Sequence, residues 1–308
     1  MRISTEMKTE KYLQQGHKIG EFVVSRFLAS GGFSQAYVVE SSNYPKPLAI
    51  KIERKTKENL LGKESKMLLS IPESIFFPKI YEIGSSKSFT FSVMELFGPS
   101  LSKFVDKINR GNSIYSLMFL AGEMFEAIHT LHESGYIHND VCNQNFVLRP
   151  DKIHPVCLID FGISFPYMIE GKHISRSMNK EFIGTPRYAS VNALKGMTVS
   201  RRDDLISWVY CVIDLMTGNL PWSGKTDLKV LQKMKEKTSV KKLCKRCPHV
   251  LGDVADIIFG LGFDEKPPYE QIKNKIDSAM KEMKSQVFVW ERFPADKWKE
   301  ISVIPMEF

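Results

Sequence analysis

Two carboxylates and an amide stand in this chain in an order that can move a phosphoryl group. Within His138-Asn139-Asp140-Val141-Cys142-Asn143-Gln144-Asn145, Asp140 offers a base for an attacking hydroxyl, and Asn145 offers a neutral oxygen to a cation. Asp160, opening Asp160-Phe161-Gly162, adds an anionic oxygen. A base beside a hydroxyl, with hard oxygen ligands for magnesium on a nucleoside triphosphate, provides the working parts of phosphoryl transfer. Alone, Asp140 reads as a solvated loop carboxylate. Together, H-x-D-x-x-x-x-N and then D-F-G make coincidence remote.

This chemistry needs a cation for the phosphates and a cover above them. Lys51 lies in Pro47-Leu48-Ala49-Ile50-Lys51-Ile52-Glu53, which alternates like a strand, and Glu64 in Lys63-Glu64-Ser65-Lys66 is the carboxylate that would restrain its ammonium. An arbitrary pair of this kind would be a surface lysine and a solvated helix glutamate; the downstream segments reverse that preference. The cover is Leu28-Ala29-Ser30-Gly31-Gly32-Phe33-Ser34-Gln35-Ala36. Against G-x-G-x-x-G it reads Ala29-x-Gly31-x-x-Ser34, with Gly32 added and Phe33 at the tip, over the phosphates. Glycines let backbone amides approach phosphates, so Ala29 and Ser34 should stiffen or reshape this lid. By itself the loop passes for an ordinary hairpin turn. The expected ligands are ATP and magnesium, with manganese as an alternative.

The elements that must hold these residues follow from periodicity. Glu21 to Leu28, Ala36 to Glu40, Pro47 to Glu53, Lys79 to Gly84 and Ser88 to Leu96 read as strands, with a helix between Lys55 and Ser70 ended by Pro72. Beyond Gly98-Pro99 helical periods dominate: Ser113 to Ser134, Asp204 to Thr217, Asp227 to Lys237, Val250 to Leu261 and Tyr269 to Lys284. A small antiparallel-sheet half therefore meets a larger helical half near residue 97, an α+β arrangement. Residues 1–17 read as a loosely ordered leader and 294–308 as a short tail. No internal repeat or low-complexity segment breaks the pattern.

Composition narrows the class. The 308 residues, 43% hydrophobic and 25% charged, suit a globular chain that folds without disulfides. Lys and Arg number 43 against 35 Asp and Glu, a net +8 that favours anionic partners: ATP, acidic or phosphorylated proteins, or nucleic acid. Nucleic acid is disfavoured, because Lys241, Lys242, Lys245 and Arg246 lack interleaved aromatic platforms. The first 20 residues carry no secretory pattern, and the apolar run Leu205 to Met216 is too short to span a bilayer. Five scattered cysteines fit a reducing compartment, so a cytoplasmic or nuclear location is expected, without membrane attachment. Cys244 and Cys247 form one C-x-x-C with no second pair, which favours packed thiols over zinc.

With these motifs in hand, the chain resembles a eukaryotic protein kinase. Glu95-Leu96-Phe97-Gly98-Pro99-Ser100-Leu101, Gly184-Thr185-Pro186-Arg187-Tyr188-Ala189-Ser190-Val191-Asn192, Ser200-Arg201-Arg202-Asp203-Asp204-Leu205 and Leu220-Pro221-Trp222 are similar to casein kinase 1 segments, with the tau-tubulin kinase branch also close. The resemblance extends through Val287-Phe288-Val289-Trp290 and covers roughly residues 18–293. It implies a two-lobed kinase fold, with lobes at 18–97 and 98–293. Met94 would be the gatekeeper, the backbone of Glu95 and Phe97 would face adenine, and Leu28, Ala36, Ala49 and Val147 would sandwich the ring. Asp204 would fix the catalytic loop from below, and Ser190-Val191-Asn192 stands where most kinases have Ala-Pro-Glu. Arg187, with Lys225 as companion, would bind an anion near the substrate, pointing to acidic or phosphate-primed protein substrates; a structural salt bridge is the plainer role for Arg187. A monomer is expected.

Two residues depart from the family pattern. Asn139 replaces the usual Arg, removing the cation that reads an activation-loop phosphate. Cys142 replaces the Lys two residues after the base, which donates to the transferring phosphate. One lost charge-assisted contact of this kind costs about 2–4 kcal/mol of transition-state stabilisation. Lys172, Arg176 and Lys180 are the activation-segment cations that could stand in. The favoured reading is an active serine/threonine protein kinase. The alternative is a catalytically impaired pseudokinase that holds ATP or phosphoproteins as a scaffold, with Cys142, Ala29 and Ser34 as its evidence.

Overall fold

A computed structural model describes residues 13–31, 34–55, 59–108, 110–149, 154–178, 181–283 and 288–289. Gly32, Phe33, Lys180, most of the leader and the tail at 294–308 lie outside these residues.

The first half is an antiparallel sheet of β1 (Lys18–Ile19), β2 (Phe22–Ser30), β3 (Ser34–Glu40), β4 (Leu48–Arg54), β5 (Ile80–Ser85) and β6 (Phe89–Glu95), in the order β1-β2-β3-β4-β6-β5. The two-residue side-chain period decides which groups meet the chemistry. Leu48, Ile50 and Ile52 of β4 join Phe22, Tyr37, Phe91 and Val93 in the sheet's core, so Ala49 and Lys51 point to the opposite face. Helix α1 (Leu60–Ser70) packs on that sheet. Its N-cap Asn59 sits at φ +44° and gives no side-chain cap. Glu53, the last buried residue of β4, accepts instead from the Leu60 and Leu61 N–H groups. The helix bearing Glu64 is thereby fastened to the strand bearing Lys51.

The second half is mainly helical: α2 (Leu101–Val105), α3 (Ile114–Glu133), then after the catalytic segment α4 (Val191–Leu194), α5 (Arg201–Thr217), α6 (Leu228–Lys237), α7 (Val240–Leu243), α8 (His249–Phe259) and α9 (Tyr269–Lys281). Helices α3 and α5 form its centre, where the fully buried Trp208 indole donates to the Ala121 carbonyl at 3.0 Å. Between α3 and α4 lie short strands: β7 (Tyr136–Ile137), β8 (Phe146–Leu148), β9 (Val156–Leu158) and β10 (Phe165–Pro166). The β8–β9 hairpin has a positional use. Pairing Phe146 with Leu158 sets Asn145 beside Ile159, whose N–H donates to the Asn145 carbonyl at 2.9 Å, and so brings Asp160 next to Asn145.

The long elements agree with the sequence reading to within a few residues. Helix α1 starts at Leu60, and α5 starts at Arg201, three residues earlier than its apolar period implied. The pieces that periodicity missed, β1, α2, α4, α7 and β7–β10, are 2–5 residues long, too short to display a period. Among the described residues, no helix is long and apolar enough to cross a membrane.

Candidate active site

The catalytic loop hangs from one buried carboxylate. Asp204 on α5 accepts from the His138 N–H at 2.7 Å, the Asn139 N–H at 2.9 Å and His132 Nε2 at 3.0 Å. His132 on α3 is buried and neutral, since desolvation lowers its pKa, and its Nδ1 accepts from the Tyr269 hydroxyl at 2.8 Å. Neither His132 nor Tyr269 carries a sequence signal; each sits on a helix face that reads as core. The loop turns at Asn139, at φ +67°, a strained position for a side chain bearing Cβ. His138 is fully buried, accepts from the Asp140 N–H through Nδ1 and bonds the Ile159 carbonyl through Nε2 at 3.1 Å.

Asp140 is held from both sides. Its Oδ1 accepts from the Thr185 N–H at 2.8 Å and its Oδ2 from Asn145 Nδ2 at 3.3 Å, while that same amide donates to the Asp140 carbonyl at 2.9 Å. Burial pushes the Asp140 carboxyl above the usual carboxylate range, against the opposing Thr185 hydrogen bonds. Such a group is oriented and basic enough to take a hydroxyl proton.

Lys51 and Glu64 meet as their sequence positions implied. Lys51 Nζ lies 2.7 Å from Glu64 Oε2 and 2.8 Å from Asp160 Oδ1. Burial alone would push this amine down; Asp160 and Glu64 outweigh it and hold it above the ordinary lysine range. Lys51 in turn holds Asp160 below its usual value. Glu64 Oε1 also accepts from the Phe161 N–H at 3.2 Å, so Phe161 tucks beneath α1 against Phe77, with ring centroids 5.6 Å apart.

These groups wall a hollow of about 380 Å³ that holds Lys51, Glu64, Asp140, Cys142, Gln144, Asn145, Asp160 and Thr185. It continues into a narrower apolar slot lined by Leu28, Ala29, Gly31, Ser34, Ala36, Ala49, Met94 and Phe97, residues expected around a nucleotide. The remaining expected residues border this slot in other ways. Val147 is fully buried, packed with Cys157 and Ile159, and Ile159 lines the slot. Ser30 and Gln35 pair across the base of the lid, with Gln35 bonded to the Tyr37 hydroxyl rather than facing the slot. Glu95, expected to offer only its backbone, turns its side chain to the back, where Arg149 donates to it through Nε at 2.9 Å and again through Nη2. A larger hollow of about 730 Å³ lies there, between α1 and β5, and contains none of Asp140, Asn145 or Asp160.

The two departures are accommodated by packing. Cys142 is buried, its thiol pushed well above the normal range by desolvation, with the Thr185 hydroxyl beside it. Among the described residues, Lys51 is the one cation that lines the hollow. Of the proposed substitutes, Lys172 and Arg176 do not reach it, Lys172 being exposed on a separate hairpin with Met168–Ile169 and Arg176 lying against the Met197 sulfur, while Lys180 lies outside the described residues. Arg187 is committed to an ion pair that the sequence did not reveal. Its Nε and Nη2 donate to the two oxygens of Asp214 on α5 at 3.1 and 2.6 Å, and the Tyr188 hydroxyl donates to the same carboxylate. Lys225 is exposed, three residues beyond Trp222, whose indole donates to the Arg187 carbonyl at 2.8 Å. Ser190 and Asn192 both donate to Asp203, which anchors the segment where most kinases use a glutamate.

The oxygen donors fit magnesium carried by a nucleotide. Asn145 spends its amide nitrogen on Asp140, leaving its oxygen for a cation beside Asp160. No cluster of three or more His, Cys, Asp or Glu able to cage a metal occurs among the described residues. Magnesium bound through few protein oxygens and shared with phosphates needs no such cage. Compared with known families, residues 22–295 match the family model described as the protein kinase domain.

Proposed function

The chain belongs to the protein kinase family, and on that premise we propose that it is an active serine/threonine kinase of the casein kinase 1 type. It would transfer the ATP γ-phosphate to acidic or phosphate-primed proteins. The observation that carries activity is the Lys51 ammonium bonded to both Glu64 and Asp160, across one hollow from Asp140. In this reading Asp140 orients the acceptor hydroxyl and takes its proton late, and Lys51 draws the α- and β-phosphates into line. Asn145 and Asp160 would hold magnesium, which when bound would supply charge neutralisation for the phosphates. The net charge of +8 supports acidic substrates. Because Arg187 shares its fork with Asp214, its attraction for a priming phosphate is weakened, and the preference expected for primed peptides is modest, below about tenfold.

The scaffold reading is favoured by one observation: with Cys142 in the loop, no second cation lines the hollow among the described residues. Transfer of labelled γ-phosphate from magnesium-ATP to casein and to a primed serine peptide decides between them, with Asp140→Asn in parallel. Transfer that vanishes in the mutant supports the kinase; no transfer by the folded wild-type protein supports the scaffold.

A further inference from the structure

Helix α6 is polar and lysine-rich, and most of it is exposed. One of its lysines is not solvated. Lys235 is 5% exposed, and its Nζ donates to the Pro186 carbonyl at 2.8 Å and the Ala189 carbonyl at 2.6 Å. The same nitrogen lies 5.0 Å from the ring centroids of both Tyr210 and Trp222. Two carbonyls take the hydrogens of the amine and two ring faces pack its flanks without any carboxylate, and Lys235 makes no ion pair among the described residues.

The charged and titratable neighbours are otherwise occupied. On α5, Asp214 is paired with Arg187, while burial keeps the Tyr210 hydroxyl and the Cys211 thiol neutral. On α4's side, Lys195 takes up Glu236 at 2.7 Å, and in the loop Tyr188 donates to Asp214. The amine is thus directed at the backbone of one segment. That segment, Thr185 to Ala189, is the one whose Thr185 N–H holds the candidate base Asp140. Trp222 grips the intervening Arg187 carbonyl, so three carbonyls of the segment are held from beneath while its upper side stays partly open to solvent.

We propose that Lys235 is a positioning residue for the protein substrate. With Trp222 it fixes the backbone shelf beside Asp140 on which the acceptor peptide is laid. This rests on the reading of the chain as a kinase of protein substrates. Lys235 touches neither ATP nor the reacting atoms, so its loss should be felt in peptide affinity and spare the nucleotide.

The test is steady-state kinetics of wild type, Lys235→Met and Lys235→Arg with an acidic serine peptide and magnesium-ATP. Methionine keeps the stem and removes the donors; arginine keeps donors. The expected result is a peptide KM raised by about tenfold or more in Lys235→Met, an ATP KM changed by less than about twofold, and substantial recovery in Lys235→Arg. A fall in kcat alone, or peptide and ATP KM rising together, would overturn the proposal. Amide exchange of residues 184–190 gives a reading independent of transfer: faster exchange in Lys235→Met, restored in Lys235→Arg, supports the shelf, and unchanged exchange overturns it. If wild type transfers no phosphate, the kinase reading fails, and peptide binding by calorimetry judges Lys235 by the same ratio.

Discussion

Replacing Asp204 by asparagine isolates what one buried carboxylate does for the catalytic loop. Three donors converge on it: two backbone N–H groups at 2.7 and 2.9 Å and His132 Nε2 at 3.0 Å. Each charge-assisted bond contributes about 1.5–3 kcal/mol. Alanine would strand all three donors, a loss of about 5–9 kcal/mol set against a typical total stability of about 5–15 kcal/mol, and is expected to prevent folding. Asparagine keeps one acceptor. Its oxygen can serve the His138 or the Asn139 N–H, while its NH₂ confronts the other; His132 can adapt by moving its proton to Nδ1, which then donates to the Tyr269 hydroxyl. One bond is lost and one becomes neutral, about 3–4 kcal/mol in all. Urea unfolding of wild type and Asp204→Asn should therefore differ by that amount. ATP affinity measured well inside the folded range should stay within about threefold, because Asp204 lies outside the hollow's lining. An unchanged urea midpoint would refute the account of how the loop is held.

Three further outcomes are expected. Gly184 sits at φ +118°, and a Cβ there would lie 3.1 Å from the Asn139 carbonyl and 3.3 Å from Asp140 Oδ1, neither of them free to yield. Gly184→Ala should cost about 1–3 kcal/mol of stability in urea unfolding and lower kcat by roughly 10², and an unaltered kcat would show that Asp140 tolerates displacement. Burial without an anionic partner pushes the Lys235 amine from 10.5 to about 7, so between these values the unfolded chain holds a proton that the folded protein has released. Stability should then rise with pH by about 1.4 kcal/mol per unit relative to Lys235→Met, the gain being absent below pH 7; parallel pH curves would contradict this. Cys142→Lys should raise turnover by roughly 10² if the missing charge limits transfer, and no gain would mean the other groups suffice.

The site was legible where its chemistry is packed into short stretches. Asp140, Asn145 and Asp160 fall within 21 residues, and the β8–β9 hairpin alone brings them together. Lys51 and Glu64 are 13 apart and joined by one strand-to-helix step. What could not be foreseen depends on distant packing. Asp214 meets Arg187 across 27 residues, and Arg149 reaches Glu95 across 54, only because α5 and the hinge are already placed. Lys235 shows the same limit: its helix has the composition of a solvated surface, and only docking against Trp222 and Tyr210 buries that one amine. Val147, which the resemblance places beneath the ring, is fully buried against Ile159, a residue of the slot's lining that the sequence did not single out.

The Glu53 carboxylate gives the upper lobe a mechanical property. Many switchable enzymes keep a helix free to swing so that a signal can engage or release it. Here the first turn of α1 is tied to β4, two residues from Lys51, by a side chain 3% exposed. Swinging α1 away would break both of these bonds together with the Lys51–Glu64 contact, at about 1–3 kcal/mol apiece. A population so penalised stays at or below the level of about one per cent. Strand and helix therefore travel as one lever.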